Sequence, residues 1–366
     1  MTVDEESTVG GESVAAKPRR VGLKDIADEL GISQTAVSFA INDRPGVSEE
    51  TKRRVKEAAA KLGWVPVYAA QALGSSKTMT VGFAPARSAD GIRDESFMLH
   101  FMSGLHSSLS RKRYGLLYQP CTSLKEETSV YKDWARRKRV DGVVLVDLRE
   151  DDPRPELLRR IGIPAVLAGG PDPTGALPSL SIDDSGTMEM VLEHLLECGH
   201  RRIAYLSGNS ALGYSRERVA SFRRFAASRR LSSSQVAFTE FDPQTAARLT
   251  LEMAGADKPP TAFIYESETL ALASMRAVGE WLARDVDADG GLLRYPYNLP
   301  AVVSFEDSFL CEMSYPSITS VHRDASEYGA KVAKLLLKVL AGERVAGDRK
   351  ILTPGLAVRD STVMPV

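Results

Sequence analysis

The stretch VGLKDIADELGISQTAVSFAINDRPGVSEETKRRVKEAAAKLGW, residues 21–64, decides the fold of the N-terminal part of the chain. Its apolar spacing predicts a first helix over about 24–30. Gly31 can take the left-handed conformation that ends a helix, and Ser33 can cap a second helix directly after the turn. Two helices joined by so short a turn form a helix-turn-helix, which places its second helix in the major groove of DNA.

The second helix has one apolar side, which carries Val37, Ala40 and Ile41 and can pack on the first helix. The opposite side is left to face DNA, and its side chains are Gln34, Thr35, Ser38, Phe39 and Asn42. A third helix, capped by Ser48 and running to about residue 62, would close a small core. Taken alone, this stretch also fits a three-helix bundle with no role in DNA binding.

The residues that follow narrow this choice. The segments LKDIA, GIS, AVS, Asn42, RPGVSEET and LGW-x-P come in order, and an A-x-x-L run follows them. Together they resemble the DNA-binding head of the LacI/GalR family of bacterial transcription regulators. The resemblance implies a sequence-specific DNA-binding regulator with a helix-turn-helix domain over 21–66 and a hinge helix and linker over 67–78.

Charge is distributed as phosphate contact requires. Residues 17–77 hold eleven Lys or Arg and seven Asp or Glu, a surplus of four, in a chain whose formal net charge is −1. Residues 1–16 hold four acidic residues and no basic one, so they lack the charged start of a signal peptide. We predict that residues 1–20 form a disordered tail.

Composition and motifs exclude other classes of protein. No apolar run approaches the roughly 18 residues of a membrane span, so no membrane partner is expected. Cys121, Cys198 and Cys311 are odd in number and far apart, which favours a reducing cytoplasm and gives no metal spacing. His194 and His200 fit no zinc helix, and G-x-S-x-G, H-E-x-x-H and P-loop motifs are missing. We therefore expect no enzyme, no catalytic residue, no metal and no cofactor.

From Thr80 onward, short apolar runs alternate with amphipathic segments. The helices include 97–112, 189–199, 217–229 and 270–283, and the strand candidates are 80–84, 114–118, 142–146, 165–168, 202–206, 261–265 and 301–305. This alternation predicts an α/β fold with parallel sheets covered on both faces. The segment exceeds one comfortable core, so two lobes are expected.

The family resemblance extends over this part too, through DDSGTMEMVLEHLLECGHRRIAYLSG, PPTAFIYESETLALASMRAVG and VVSFED. It implies a two-lobed, periplasmic-binding-protein-like effector domain over 79–366. The N-subdomain would span about 79–168 and 322–352, and the C-subdomain about 169–321 and 353–366. A small-molecule effector would bind in the cleft between them.

In the family, the recognition helix reads bases from positions that match Gln34, Thr35 and Phe39. Gln34 can pair with adenine through two hydrogen bonds, and Thr35 can contact a base edge or a thymine methyl group. Phe39 departs from the family, because many members have an Arg there that can read guanine. The operator sequence therefore cannot be copied from relatives.

Further positions match residues that contact the DNA backbone or set the register of the helix, and Arg53 is expected to bind phosphate. The matching residues are Ser33, Ser38, Asn42, Ser48 and Thr51, for which helix capping is the alternative role. The resemblance also implies a hinge helix that inserts Leu73 into the minor groove. Ala70 would permit the close approach, while Val67 departs from the Asn often found after the proline.

For the effector cleft, the resemblance points first to Arg218, whose fork of donors suits a hydroxyl pair or a carboxylate. Ser267 and Glu268 stand where relatives have Asn-Asp, and Glu306 opens a pair that is Asp-Asp in relatives. Apolar walls are expected from Phe97 and Leu167, with burial in the core as the alternative. Asp183 and Asp184 are expected to cap a helix.

The sequence therefore predicts a dimeric transcription regulator, a repressor, that binds a roughly palindromic double-stranded operator and responds to a small molecule, most simply a sugar. Only residues 356–366 follow the last lobe crossing, so no leucine-heptad helix that would form a tetramer is expected. The alternatives are a corepressor-type or activator-type regulator with a non-sugar effector, and a sugar receptor without a DNA role. The 285–298 insertion has no predicted function.

Overall fold

The computed structural model divides the chain into two units, Met1–Thr78 and Met79–Val366. It describes residues 21–64, 77–87, 96–284, 299–345, 347–352 and 354–363. The predicted hinge positions Val67, Ala70 and Leu73 and the 285–298 insertion lie outside the described residues.

The first unit contains the three predicted helices, α1 (Leu23–Leu30), α2 (Gln34–Ile41) and α3 (Glu49–Lys61). Gly31 ends α1 in the left-handed conformation, with φ at 65°. The hydroxyl of Ser33 accepts a hydrogen bond from Ala36 N at 3.1 Å, and that of Ser48 accepts one from Thr51 N at 3.2 Å. The predicted turn and both predicted caps are confirmed.

The three helices enclose one apolar core, which the predicted inward faces build. Ile26, Val37, Ala40 and Val55 are fully buried at its centre. Trp64 and the partly buried Leu23, Leu30 and Leu62 pack around them. Because the apolar side of α2 is used in this core, its other side is available to a ligand.

The second unit begins with a parallel six-stranded sheet, which defines the first lobe. Its strands are β1 (Thr80–Phe83), β2 (Gly115–Tyr118), β3 (Gly142–Leu145), β4 (Ala165–Ala168), β5 (Ser179–Ile182) and β11 (Asp348–Leu352). Their order in the sheet is β11-β5-β4-β3-β1-β2. The helices of this lobe are α4 (Ser96–Ser110), α5 (Leu124–Arg137), α6 (Arg154–Ile161) and α12 (Ala325–Leu340).

A second six-stranded sheet defines the second lobe. Its strands are β6 (Arg202–Ser207), β7 (Ser233–Phe238), β8 (Ala262–Tyr265), β9 (Ala301–Ser304), β10 (Thr319–His322) and β12 (Gly355–Ala357). Their order is β12-β10-β9-β8-β6-β7, and only the β10–β12 pair is antiparallel. The helices are α7 (Asp184–Glu197), α8 (Gly213–Ser228), α9 (Pro243–Ala254), α10 (Glu268–Arg284) and α11 (Phe309–Met313).

The first passage between the lobes lies later in the chain than the sequence predicts. The family resemblance predicts this passage near residue 168, but β5 belongs to the first sheet, so the chain leaves that lobe only after Ile182. Hydrophobicity did not indicate this strand, because Ser179 and Ser181 make alternate positions polar. The whole strand is nevertheless buried. Their hydroxyls donate to the carboxylate of Asp348 at 3.0 and 2.6 Å. Hydrogen bonding therefore permits a buried strand without an apolar run.

Strands β7, β10, β11 and β12 were also missed by the sequence candidates. β7 is a half-exposed edge strand, SSQVAF, whose polar start obscures the pattern. β10 buries Thr319 and Ser320, whose hydroxyls take partners inside the protein. Edge position and internally bonded hydroxyls thus account for strands that hydrophobicity alone does not mark.

Two glycines bring the helices α4 and α12 into backbone contact in the first lobe. A Cβ on Gly104 would lie 1.9 Å from the carbonyl oxygen of Ser326, and a Cβ on Gly329 would lie 2.1 Å from that of Phe101. No other residue type fits at either position without displacement of a backbone. This contact fixes the two helices relative to each other. Their N-terminal ends carry Phe97 and Tyr328, which line the cavity described below.

Candidate DNA-reading surface and inter-lobe cleft

The exposed side of α2 carries the predicted base-reading residues. Gln34 and Thr35 are its first two residues and both are exposed. Phe39, one turn further on, is only half-buried, with the guanidinium carbon of Arg44 6.0 Å from the centre of its ring. Asn42 donates from Nδ2 to the carbonyl oxygen of Ser38 at 2.8 Å and so caps the end of the helix.

The predicted backbone contacts have structural partners inside the head. Ser33 and Ser48 cap helices, and Ser48 Oγ lies 2.9 Å from Thr51 Oγ1. The guanidinium of Arg53 lies 3.5 Å from Glu50 and 3.4 Å from Glu57, with all three side chains largely exposed. These pairs are weak in water, so they leave Arg53 able to exchange a carboxylate for a phosphate.

A cavity opens between the two lobes, at the carboxyl ends of the parallel strands. Asp147 follows β3, Gly169 follows β4, Glu266 follows β8 and Glu306 follows β9. Ligands of open α/β sheets bind at this edge, because the loops after the strands converge there. The cavity is therefore the candidate effector site.

Aromatic rings form much of the cavity wall, from Phe97, Phe101, Tyr214, Phe241 and Tyr328. Phe241 was not predicted, because it lies in a loop with no periodic pattern. It has a φ of 59°, a left-handed conformation that bulky residues rarely adopt, and Glu240 before it has a φ of 52°. A Cβ on Gly208 would lie 2.3 Å from the ring of Phe241. A strained backbone and a neighbouring glycine thus hold this ring at the cavity.

Arg218 projects from α8 into the cavity, and two carboxylates hold it there. Its Nε donates to Asp184 at 2.7 Å and its Nη1 donates to Glu266 at 2.5 Å, with all three side chains buried. Burial would lower the pKa of Arg218, but the charges of Asp184 and Glu266 raise it well above its usual value. The guanidinium carbon also lies 4.6 Å from the ring centre of Phe305. Much of the donor fork of Arg218 is therefore used inside the protein.

Two further arginines in the cavity are also paired with carboxylates. Arg87 donates to Asp147 from Nη2 at 2.5 Å, and although burial favours a higher pKa for Asp147, this ion pair lowers it overall. Arg323 lies 3.7 Å from Glu306, and its guanidinium carbon lies 4.6 Å from the ring centre of Phe97. Burial, followed by the nearby charge of Arg218, lowers the pKa of Arg323.

Direct hydrogen bonds join the lobes around the cavity. Ser96 Oγ donates to Glu268 Oε1 at 2.8 Å, and Gly213 N donates to the carbonyl oxygen of Leu148 at 2.8 Å. Arg216 Nη2 donates to Glu150 Oε1 at 2.9 Å on the surface. The lobes are thus in contact across the cleft, and opening it requires that these bonds break.

The structure places the predicted effector residues in two groups. Phe97, Arg218 and Glu306 line the cavity. Leu167 does not, because alternate residues of a strand face opposite sides, so Ala168 lines the cavity and Leu167 enters the core beneath the other face.

Glu268 begins α10 and Ser267 precedes it, and neither residue lines the cavity. Ser267 Oγ lies 3.0 Å from Thr269 Oγ1, and Glu268 binds Ser96. Asp183 caps α7 as predicted, accepting from Gly186 N at 3.2 Å, whereas Asp184 binds Arg218. No periodic pattern in the sequence marks Glu266, Arg87 or Arg323, because their role depends on contacts between distant segments.

Among the residues that the structure describes, no group of three or more His, Cys, Asp or Glu could hold a metal ion. Within the same ranges, no helix combines the length and the apolar character needed to cross a membrane. The three cysteines are unpaired thiols.

Comparison with known proteins matches both parts of the chain. Residues 22–67 match the family model of bacterial regulatory proteins, lacI family, and residues 192–362 match that of the periplasmic binding protein-like domain. The HTH-type transcriptional regulator CelR of Thermobifida fusca is 29% identical over 94% of this chain and 98% of its own length.

Solved structures give the same result. The transcriptional regulator CelR–cellobiose complex superposes with a TM-score of 0.68 at 27% identity, covering 93% of this chain and all of that one. The lac repressor dimer bound to operator superposes with a TM-score of 0.77 over 94% of this chain and all of that one, and at 21% identity it shows the shared fold. These matches identify the chain as a DNA-binding transcription regulator whose head matches the lacI family of bacterial regulatory proteins and whose second part matches the periplasmic binding protein-like domain.

Proposed function

We propose that this regulator is a dimeric repressor that reads a roughly palindromic operator through α2 and responds to a neutral sugar in the inter-lobe cleft. The main support for operator reading is that α2 has one buried side and one exposed side. Val37 and Ala40 are fully buried, while Gln34 and Thr35 are exposed at the start of the helix, where a recognition helix meets base edges.

The charge of the cavity supports a neutral effector. Its described lining holds three guanidinium groups, Arg87, Arg218 and Arg323, and four carboxylates, Asp147, Asp184, Glu266 and Glu306. Each arginine is already paired with a carboxylate, so a phosphate or carboxylate on a ligand would compete for the donors and meet excess negative charge. A ligand with hydroxyl groups would instead donate to carboxylate oxygens without introducing charge.

The rings of the cavity support a sugar in particular. Phe97, Tyr214 and Phe241 line the cavity beside hydrogen-bonding carboxylates, and such a mixed apolar and polar lining suits the apolar faces and hydroxyl edges of a pyranose. The similarity to the CelR–cellobiose complex supports the same class of ligand. A free nucleobase, the main alternative, would use the rings but fewer of the acceptors.

Dimerisation is proposed through an apolar surface of the second lobe. Phe309 and Met313 lie one turn apart on α11 and are 69% and 68% exposed, and Tyr315 beside them is 70% exposed. A groove lined by Leu272, Met275 and Tyr315 adjoins them. Exposed apolar patches of this kind mark protein interfaces, and a second copy of the chain would bring a second α2 to the other half-site.

Communication between cleft and operator is proposed to run through the hinge. The ligand would change the relative position of the lobes, and this change would alter how Leu73 of each subunit enters the minor groove. Ala70 and Leu73 remain proposed contacts of the hinge, and Ser33, Ser38, Asn42, Ser48, Thr51 and Arg53 remain proposed backbone contacts. The cytoplasm is the proposed location, since the operator DNA lies there.

We expect Gln34→Ala and Thr35→Ala each to lose about 1–3 kcal/mol of discrimination at particular base pairs, because each removes a contact to a base edge. Arg53→Ala should instead weaken binding to all duplexes alike, since a phosphate contact carries no sequence information. Selection of binding sites from a random duplex pool, performed on all three variants, measures both effects. An unchanged preferred sequence for the Gln34 and Thr35 variants would show that α2 does not read the operator.

Calorimetry of the full chain should detect binding of a neutral sugar, with cellobiose and glucose as the first probes. Glucose 6-phosphate should bind at least about tenfold more weakly than glucose, because its charge meets paired arginines and an excess of carboxylates. Phe241→Ala should weaken sugar binding by about tenfold through loss of a ring face. Val358→Ala, a change at an exposed apolar residue outside both the cleft and the proposed interface, should leave sugar binding intact. Tight binding of the phosphate, or of a free nucleobase in place of both sugars, would contradict the proposed effector class.

Sedimentation velocity at micromolar concentration should give a mass near twice 39.8 kDa for the wild-type chain. Met313→Glu places a charge in the proposed apolar interface and should shift the mass toward that of one chain. Ser129→Glu adds the same charge to an exposed position on α5 and should leave the dimer intact. A dimer that persists in Met313→Glu would place the interface elsewhere.

A further inference from the structure

The segment after α2 folds back over Phe39. Arg44 N donates to the carbonyl oxygen of Phe39 at 2.9 Å, and Gly46 adopts a φ of 105°, which favours glycine. A Cβ on Gly46 would lie 3.7 Å from the ring of Phe39, so the backbone of this turn packs on that ring. Phe39 is therefore a support for the turn as well as a residue of the recognition helix.

The same turn places Arg44 over the ring of Phe39. Its guanidinium carbon lies 6.0 Å from the ring centre, within the range of a cation–π contact, and the side chain is exposed. The neighbouring Asp43 is drawn toward α3, with its carboxylate 3.7 Å from Lys52 and 3.4 Å from Lys56. A positive group is thus held beside Phe39 while the adjacent negative charge is compensated.

The position of this guanidinium relative to α2 is set by helix geometry. Thr35 and Phe39 are four residues apart and so are neighbours on the same side of α2. Arg44, above Phe39, therefore lies beside the surface that carries Gln34 and Thr35. Residues of α2 on this side offer an amide, hydroxyls and a phenyl ring, and none offers the charged fork that binds O6 and N7 of guanine.

We propose that Arg44, held on the ring of Phe39, reads a guanine in each half-site of the operator. This inference rests on the proposed function, in which α2 enters the major groove. A guanidinium held on an aromatic face already has a restricted orientation, so less rotational freedom is lost when its planar fork binds a base edge. A phosphate contact, which a mobile side chain can make, needs no such support.

The test is selection of binding sites from a random duplex pool with the full chain, followed by measurement of affinity for the selected duplex and its single-base variants at fixed salt. The wild type should select a G·C pair at one position of each half-site. Arg44→Ala should reduce the preference for that pair by about tenfold or more and leave the other positions unchanged. Arg44→Lys, which keeps the charge but loses the planar fork, should retain part of the preference.

Phe39→Leu tests the support that the ring gives to Arg44 separately from the contact of Arg44 with guanine, because leucine keeps an apolar side chain but removes the ring face. It should weaken the same G·C preference, and the double variant with Arg44→Ala should be no worse at that position than Arg44→Ala alone. Arg53→Ala is the matched control. It removes the same charge as Arg44→Ala, and it should lower the affinity for every duplex by the same factor. Circular dichroism of each variant checks that the helices are retained.

A uniform loss of affinity in Arg44→Ala, like that of the control, would assign Arg44 to the phosphates and overturn the inference. Unchanged affinity and sequence preference would overturn it as well. In both cases the proposed function stands, because the wild type still selects a duplex. If the wild type selects no duplex at all, the proposed function fails first and the inference fails with it.

Discussion

The guanidinium of Arg218 lies out of water between the carboxylates of Asp184 and Glu266, and the effector domain is organised around this ion network. Asp184 is the first residue of α7, immediately after the chain leaves the first lobe, and Glu266 directly follows β8, an inner strand of the second sheet. Glu266 also accepts hydrogen bonds from the hydroxyls of Tyr205 and Ser207. Loss of one partner would strand a buried charge, at a cost of about 3–5 kcal/mol. The network therefore fixes the passage between lobes and the floor of the cleft together.

The chemistry of the cleft follows from the same constraint. An arginine that must be neutralised by the protein itself cannot also serve fully as an anion-binding group, and Arg87 and Arg323 are paired in the same way. What remains is a set of carboxylate oxygens between aromatic rings, which is a surface for hydroxyl donors. The hydrogen bond from Ser96 to Glu268 and the Leu148–Gly213 contact then tie lobe closure to the same site. A ligand that fits between the lobes would add to these contacts.

The sequence predicted local features well because their causes are local. Gly31, Ser33 and Ser48 act through the backbone within a few residues, and the apolar faces of α1 to α3 follow helical spacing. The sequence did not predict features that depend on contacts between distant segments. Ser179 and Ser181 can lie in a buried strand because Asp348 accepts hydrogen bonds from their hydroxyls.

The same limit applies to the site residues. Arg218, Phe97 and Glu306 were accessible through family resemblance, and the structure places all three at the cavity. Glu266 and Phe241 could not be predicted in this way, because an acidic residue after a strand and an aromatic residue in a loop form no recognisable sequence pattern. The departure at Phe39 was visible in the sequence, but the fold of the following turn over its ring was not.

The most direct test of the account is the reciprocal coupling between cleft and operator. Fluorescence anisotropy gives the affinity of the full chain for its selected operator with and without a saturating neutral sugar, and calorimetry gives the sugar affinity with and without operator. The account predicts that the sugar changes operator affinity by about 5- to 150-fold and that the operator changes sugar affinity by the same factor. A sugar that binds the cleft and leaves operator affinity unchanged would contradict it.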